Sequence, residues 1–443
     1  MDFAGVFGAL LGVGLLIGGA LVVWHVHNWP VLGWILIAYG VLTNSDATPT
    51  PVVSLGNIHV FQEDAISALL LTVTILSVQT VWQNIGQRPL VPLLMMAVLV
   101  VNLAIGFKSF GMPAVVEFRP FFYFFACLAW GLSLDWAGES ARKHACYFLY
   151  VCGWGLVCIA ALNIAKHGIA SSSDMYIDPE GTYHTLRPVV ASQAAVLTVA
   201  GLYALHEWGQ KRGAKLFLSG IAFSGVVIVA QHRSVWIAFA AGILMLGLRA
   251  ASAIRWRIAL LAIISSFGIL ILALAGALTT VIDSFAASID AVTATNSTLT
   301  DRTSGWDSLV SDSLSRGPAS VLFGQPFGTG YLRIGPNGLP QTYAPHNWYV
   351  SIYLRTGIVG ALAFSSLLLG ALLRLAKQRS IWAGITACIA VFALAYTVQW
   401  FIAPLIAAAI AMSNTPSTAP IEVKAAKKIR PISEAYRHFP QRA

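Results

Sequence analysis

The stretch PLVPLLMMAVLVVNLAIGF, residues 89–107, decides the fold class of this chain. It carries no charged side chain, and its length is close to the ~20 residues that an α-helix needs to cross a bilayer. Similar stretches recur along the 443 residues, of which 57% are hydrophobic and 10% are charged. Soluble domains carry about 25% charged residues. The composition therefore excludes a soluble globular enzyme, a disordered chain, a disulfide scaffold and a coiled coil, and it predicts an all-α, polytopic helical membrane protein.

The hydropathy pattern predicts about twelve transmembrane helices. The segment 29–43 is short for a full span, and 382–412 is expected to break into two short helices near Pro404. The apolar segments are 4–24, 29–43, 65–85, 89–107, 120–135, 146–165, 188–206, 216–231, 234–249, 258–281, 348–373 and 382–412.

Basic residues set the expected orientation. Clusters of Lys and Arg at 142–143, 211–215, 249–257 and 374–379 alternate with the other connections. Short cytoplasmic loops carry an excess of Lys and Arg, so these clusters predict the cytoplasmic side and explain the net charge of +9 without nucleic acid. The expected organisation is transmembrane helices over 1–281 with outward loops at 108–119 and 166–187, a large periplasmic loop at 282–347, transmembrane helices over 348–412 and a basic cytoplasmic tail at 413–443.

The large loop contains a predicted short amphipathic helix at 298–315, TLTDRTSGWDSLVSDSLS. Trp306, Val310 and Leu314 recur at four-residue spacing with Leu309 beside them, which predicts a face that packs on the membrane or on the helix bundle. Arg302 lies four residues before Trp306 and shares that face. A Gly- and Pro-rich coil follows and ends at His346, where the loop enters the next span.

Several cationic residues stand at helix mouths on the predicted outer side: Arg119, Arg187, Arg233 and, on the amphipathic helix, Arg302. The guanidinium fork suits bidentate contact with phosphate oxygens, so a pyrophosphate at the membrane surface is a natural ligand. Alternatives remain open for each residue. Arg119 and Arg187 also suit interfacial anchors, Arg302 suits a solvated surface position, and His346 suits a helix cap.

Other residues near this predicted site have two readings as well. Arg355 lies deeper in the helix of His346 and is either functional or paired inside the bundle. The aromatic residues Trp306, Tyr331, Tyr343 and Trp348 suit either stacking on sugar or the interfacial aromatic belt. Glu63 and Asp64, at the start of a span, are candidates to balance the cations.

Motifs for metal and nucleotide chemistry are absent from the sequence. There is no DxD, no HExxH and no Gly-rich loop ending in Lys-Ser/Thr, and the five cysteines fall in apolar segments without CxxC or Cys/His spacing. Arginines would therefore have to neutralise a leaving phosphate, and we expect no metal and no cofactor.

Four short motifs carry a resemblance to a known family. They are QHRSVW at 231–236, DRTSGW at 301–306, FGQPFGTGY at 323–331 and PHNWYVSIYLRTGIVG at 345–360. Their order and predicted side resemble those of the O-antigen ligase and polymerase family, bacterial enzymes that move glycans off a polyprenyl pyrophosphate. The resemblance is sharp over about 230–360 and rests on hydropathy before that.

The resemblance implies an inverting, metal-independent glycosyltransferase of the bacterial inner membrane with a periplasmic active site. His346 would activate the acceptor hydroxyl, and Arg233 and Arg302 would bind the pyrophosphate of the undecaprenyl-linked donor. The further substrate-binding candidates are Arg187, Arg119, Asn347, Trp306, Tyr343 and Arg355. Transfer to lipid A–core is favoured, with a polymerase or a protein O-oligosaccharyltransferase as alternatives within the family. A flippase or transporter of lipid-linked glycans is the alternative from a different class.

Overall fold

The computed structural model describes residues 3–45, 50–55, 58–86, 90–168, 175–177, 183–185, 187–249, 255–257, 298–334 and 340–415. The predicted span at 258–281, the first part of the predicted loop at 282–297 and the tail beyond residue 415 lie outside these residues. The helices are α1 (Phe3–Asn28), α2 (Pro30–Thr43), α3 (Gln62–Leu76), α4 (Val78–Ile85), α5 (Leu90–Phe110), α6 (Met112–Leu132), α7 (Glu139–His167), α8 (Ala191–Lys211), α9 (Ala214–Val229), α10 (Arg233–Arg249), α11 (Thr298–Ser315), α12 (Pro318–Phe323), α13 (Trp348–Lys377), α14 (Ile381–Phe392) and α15 (Ala403–Asn414). Short antiparallel hairpins pair β1 (Val53–Leu55) with β2 (Ile58–Val60), β3 (Met175–Ile177) with β4 (Tyr183–Thr185) and β5 (Arg333–Ile334) with β6 (Pro340–Gln341).

The fold is that of an all-α, multi-pass membrane protein. Within the described residues, α5, α6, α7 and α13 are long and apolar enough to cross a membrane. The pairs α1–α2 and α3–α4 bend by 103° and 84° and raise the number of such spans to six if each pair crosses once. The described helices therefore do not reach the predicted twelve spans: α9, α10, α14 and α15 are shorter than a full crossing, and α8 is not among the helices that are long and apolar enough.

The break predicted near Pro404 is confirmed. Helix α14 ends at Phe392, residues 393–399 are non-helical, and a 3₁₀ turn leads into α15 with Pro404 in its first turn. Proline is tolerated at this position because the first N–H groups of a helix have no intrahelical partner. By contrast, the predicted outward loop at 108–119 is wrong: α5 and α6 are separated by Gly111 alone, at φ 67°. Arg119 consequently lies within α6.

One end of the bundle, which we call the basic end, gathers the chain segments around the basic clusters. The Asn84 Nδ2 atom donates to the carbonyl oxygens of Leu132 and Leu134 at 2.8 Å, and Asn414 Nδ2 donates to the Asn84 oxygen at 2.8 Å. The rings of Trp136 and Trp382 lie 6.1 Å apart. Residues 84–86, 132–143, 374–382 and 413–414 therefore share this end.

The opposite end, which we call the His346 end, gathers the remaining connections. The Trp348 N–H donates to the Ala393 oxygen at 2.9 Å, and Asn44 Nδ2 donates to Ser192 Oγ at 2.9 Å. His232 Nε2 lies 2.8 Å from the Val189 oxygen. The ends of α2 and α14 and the starts of α8, α10 and α13 therefore meet here.

The Gly-rich segment 323–331 inserts between α5 and α13. Asn102 Nδ2 of α5 donates to the oxygens of Phe323 and Arg355 at 2.6 and 2.9 Å, and the Gln325 N–H donates to the Leu354 oxygen at 2.7 Å. The carbonyls of Leu354 and Arg355 are available because α13 breaks at Gly357, whose φ of 63° suits glycine. Irregular backbone at this depth is tolerated because the surrounding protein satisfies its polar groups.

Gly106 of α5 makes this insertion possible. A Cβ atom at this position would lie 2.1 Å from the Phe327 oxygen, which is backbone and cannot rotate away. We expect Gly106→Ala to destabilise the protein by about 1–3 kcal/mol or more, through overpacking. Thermal unfolding in detergent measures the effect. Gly225→Ala in α9 is the matched control, because nothing lies within 4 Å of its Cβ; equal melting temperatures of the two variants would contradict the close packing.

The amphipathic helix predicted at 298–315 is confirmed as α11, but its packed face is rotated from the predicted one. Leu309 and Ser313 are buried, Trp306 and Val310 are half-buried, and Leu314 is 56% exposed. The rotation has a steric cause at Gly305, where a Cβ would lie 2.8 Å from Arg333 Nε. The small residue lets α11 approach Arg333, whose Nη1 donates to the Tyr343 oxygen at 2.8 Å.

Candidate functional site

Two predicted catalytic residues, Arg302 and His346, contact the ring of Tyr396. The Arg302 guanidinium carbon lies 5.0 Å from the centre of the Tyr396 ring, and the His346 ring centre lies 6.5 Å from it. Arg302 Nη1 also donates to the Ala395 oxygen at 3.2 Å. A guanidinium over an aromatic face is attracted by the ring quadrupole, which holds Arg302 beside His346.

Arg187 and Arg233 join the same cluster. The positive charges of Arg187 and Arg302 act on the Arg233 guanidinium, and Tyr396 lies within the same electrostatic range. Like charges gathered in a partly buried place repel one another, and a bound anion would relieve that repulsion. The cluster of Arg187, Arg233 and Arg302, which we call the arginine cluster, therefore fits a multiply charged anion.

His232 positions Arg187 within the cluster. Burial of its ring, together with the nearby charge of Arg187, lowers the pKa of His232 to about 3. The ring is therefore neutral: Nδ1 accepts a hydrogen bond from Arg187 Nη1 at 2.8 Å, and Nε2 donates to the Val189 oxygen at 2.8 Å. A neutral imidazole accepts a hydrogen bond from the guanidinium without neutralising its positive charge.

A cavity of about 550 Å³ opens beside this cluster. Its wall includes His346, Tyr396 and Tyr343, and the Tyr343 ring centre lies 5.7 Å from that of His346. His346 is solvent-exposed, as a residue that meets a substrate must be. The cavity lies within the size range of about 300–1,000 Å³ typical of small-molecule sites.

One predicted ligand residue has a structural role. Asn347, buried, is the N-cap of α13, and its Oδ1 accepts a hydrogen bond from the Val350 N–H at 3.1 Å. The cap considered for His346 thus belongs to its neighbour, and the predicted substrate contact of Asn347 is replaced by this role. Trp306 lies half-buried on α11, one turn after Arg302.

Arg119 lies at the same end but outside the arginine cluster. Its Nε atom lies 3.5 Å from Asp64 Oδ1, and its Nη2 donates to the His59 oxygen at 2.6 Å. Tyr123 Oη also donates to Asp64, at 2.7 Å. The prediction that a carboxylate of the Glu63–Asp64 pair balances a cation is confirmed for Asp64.

Arg355 is fully buried and serves the inserted segment. It forms an ion pair with Glu117 of α6, and its Nη atoms donate to Thr329 Oγ1 at 2.7 Å and to the Gly330 oxygen at 2.8 Å. Glu117 Oε2 in turn accepts from the Gly328 N–H at 2.7 Å. The predicted contact of Arg355 with substrate is therefore replaced by an internal one, which corresponds to the alternative of pairing inside the bundle.

Sequence reasoning missed Glu117 and Tyr396. Glu117 fell in a predicted loop, and Tyr396 fell in an apolar segment, so neither stood out by position. The signal for Tyr396 was the predicted break near Pro404, because a broken apolar segment at a helix mouth exposes side chains that a continuous span would bury.

Searches against protein-family models, curated proteins and solved structures returned no match for this chain. The functional argument therefore rests on the site itself. Among the residues that the structure describes, no group of three or more His, Cys, Asp or Glu side chains is arranged to hold a metal ion.

Proposed function

We propose that this chain is a glycosyltransferase of the bacterial inner membrane that moves O-antigen polysaccharide from undecaprenyl pyrophosphate to lipid A–core. The observation that supports the proposal is that Arg302 and His346 lie on the Tyr396 ring, with Arg233 and Arg187 within electrostatic range of Arg302 or of each other. The site would face the periplasm, because the basic clusters at 142–143 and 374–379 belong to the other end of the bundle.

In the proposed reaction, His346 removes the proton of the acceptor hydroxyl while its oxygen bonds to the anomeric carbon of the donor sugar. The bond from that carbon to the pyrophosphate oxygen breaks, and undecaprenyl pyrophosphate leaves with the bonding electrons. The arginine cluster stabilises the charge on the leaving group, as fixed cations do best in a partly dehydrated site. Attack opposite the leaving group inverts the anomeric centre. Free imidazole, with a pKa of about 6.5, is suited to the role of base at neutral pH.

A transporter of lipid-linked glycans receives less support. That class places ionisable groups near the bilayer midplane on broken helices, where they face the transport path. Arg355 is the residue of this kind, on the broken helix α13, but it is enclosed by the inserted segment and paired with Glu117. The exposed His346 and the arginine cluster lie at one end.

The decisive experiment supplies purified protein with undecaprenyl-pyrophosphate glycan and, in turn, lipid A–core, a second lipid-linked glycan or a serine-containing peptide, in parallel reactions with and without EDTA. We expect a product with lipid A–core. A product with the second lipid-linked glycan alone would indicate a polymerase, and one with the peptide alone a protein O-oligosaccharyltransferase. Loss of transfer on adding EDTA would contradict the metal-independent reaction.

Arg233→Lys tests whether the fork of the guanidinium matters. A lysine keeps the positive charge but supplies a point charge in place of two parallel donors, so we expect transfer to fall by about tenfold or more. Initial rates at saturating acceptor, over a series of donor concentrations, measure the change. Lys215→Arg, at the other end of the α9–α10 hairpin, is the control for an arginine–lysine exchange. Full activity of Arg233→Lys would show that charge alone is sufficient.

A further inference from the structure

Three cavities meet at Thr397, in the non-helical segment between α14 and α15. They have volumes of about 550, 640 and 740 Å³, and Thr397 lines each of them. The 550 Å³ cavity contains His346 and is described above. The 550 and 740 Å³ cavities also share Asn44 and Gln399. The largest of the three cavities therefore adjoins the cavity of His346.

The lining of the 640 Å³ cavity offers few polar groups that are not already engaged. Its wall is formed largely by apolar and aromatic residues such as Val116, Phe121 and Tyr331, and the carboxylate of Glu117 is committed to Arg355 and to the inserted segment. This cavity supplies little that would recognise hydroxyl groups.

The 740 Å³ cavity differs because its polar groups are numerous and two of them are uncommitted. Glu63 and Gln399 both line it and are half-buried, and neither side chain makes a hydrogen bond or ion pair with any residue that the structure describes. A half-buried carboxylate and carboxamide without protein partners are costly unless water or a ligand satisfies them.

Aromatic rings complete the same wall. Phe61, with the Arg119 guanidinium carbon 5.1 Å from its ring centre, Tyr123 and Trp400 all line the 740 Å³ cavity. The Trp400 ring is held against Gly40, where a Cβ would approach it to 2.2 Å. A carboxylate accepts hydrogen bonds from hydroxyl groups, and a carboxamide both accepts and donates them. Rigid aromatic faces pack on the C–H face of a pyranose.

We propose that the 740 Å³ cavity is a saccharide-binding chamber, in which Glu63 and Gln399 bind sugar hydroxyl groups and deliver the sugar to His346. The role given to the sugar rests on the proposed function. The sugar is part either of the acceptor or of the glycan of the donor. Carboxylate and carboxamide recognition of hydroxyls is common to both sources, and the experiment separates them.

The test measures saccharide binding without transfer. Full-length His346→Ala protein in detergent is titrated with two probes, core oligosaccharide freed of lipid A and glycan freed of undecaprenyl pyrophosphate, by saturation-transfer NMR. We expect one probe to bind and Glu63→Gln to raise its Kd by about tenfold, because the bond to a charged acceptor is replaced by a weaker neutral one. Gln399→Ala should raise the same Kd by about three- to tenfold.

Matched controls are Glu139→Gln and Gln79→Ala, exposed side chains distant from the cavity. An effect confined to core oligosaccharide would assign the chamber to the acceptor, and one confined to the free glycan would assign it to the donor. Binding of neither probe, or an equal loss in the controls, would overturn the chamber. The binding assay does not require transfer, so the two proposals can fail separately. If the wild-type protein shows no transferase activity but a saccharide still binds in a Glu63-dependent way, the chamber is supported and the proposed function is contradicted.

Discussion

His346→Ala should lower the rate of glycan transfer by about 10²–10⁴-fold, the usual contribution of a positioned general base. Alanine removes the only group of the 550 Å³ cavity, within the described residues, that we assign to proton removal. The arginine cluster is untouched, because Arg302 is held by Tyr396 and Ala395 and Arg187 by His232. Donor binding and membrane insertion are therefore expected to persist.

Single-turnover transfer with purified variant and undecaprenyl-pyrophosphate glycan measures this loss, and equilibrium binding of the donor serves as the second readout. His25→Ala is the control: this histidine is half-buried in α1, where its Nδ1 bonds to the Leu21 oxygen at 2.8 Å and its ring packs against Trp24 and Trp29. Wild-type transfer by His346→Ala would remove the residue from the mechanism. Loss of donor binding together with transfer would assign His346 to the donor site instead.

Arg355→Met should give the largest loss of stability, about 3–5 kcal/mol, because it leaves the Glu117 carboxylate in a nearly buried place without its cation. The substitution also releases Thr329 and the Gly330 oxygen, so the inserted segment loses side-chain bonds on both sides. The double variant Glu117→Gln/Arg355→Met should recover part of the loss, because it removes the unpaired charge.

Chemical unfolding in detergent, with the four proteins of the Glu117–Arg355 cycle, measures these differences. Arg316→Met is the matched control: Arg316 pairs with Asp312 at 2.8 Å, but both side chains are exposed, and such pairs contribute about 0–1 kcal/mol. If Arg355→Met and Arg316→Met cost the same free energy of unfolding, the buried ion pair does not hold the inserted segment.

The membrane character and several local elements could be read from the sequence. The amphipathic helix at 298–315 and the break before Pro404 are consequences of neighbouring residues, so periodicity and proline position were sufficient to predict them. The same reasoning failed at 108–119, where one glycine joins two helices and Glu117 and Arg119 lie inside a helix rather than a loop.

For the candidate site too, the sequence identified some of the residues, but their arrangement required the structure. Arg187, Arg233, Arg302 and His346 were found because cations at helix mouths are unusual in an apolar chain. Their mutual arrangement depends on contacts between distant parts of the chain, such as Arg302 with Ala395, 93 residues apart, and Arg187 with His232, 45 residues apart. Tyr396, which links Arg302 to His346, is one aromatic residue among many until those contacts are known.

The sequence by itself determined that this is a membrane protein and which cationic residues are candidates for the site. Hydropathy and charge are properties of single residues and short windows, so no tertiary contact is needed to recognise them. The tertiary structure alone decided which cations gather, that Arg355 turns inward to Glu117, and that Glu63 and Gln399 line a cavity that adjoins the cavity of His346. The physical reason is that burial and pairing arise where distant segments meet, as when Asn102 contacts the carbonyl of Arg355 across 253 residues.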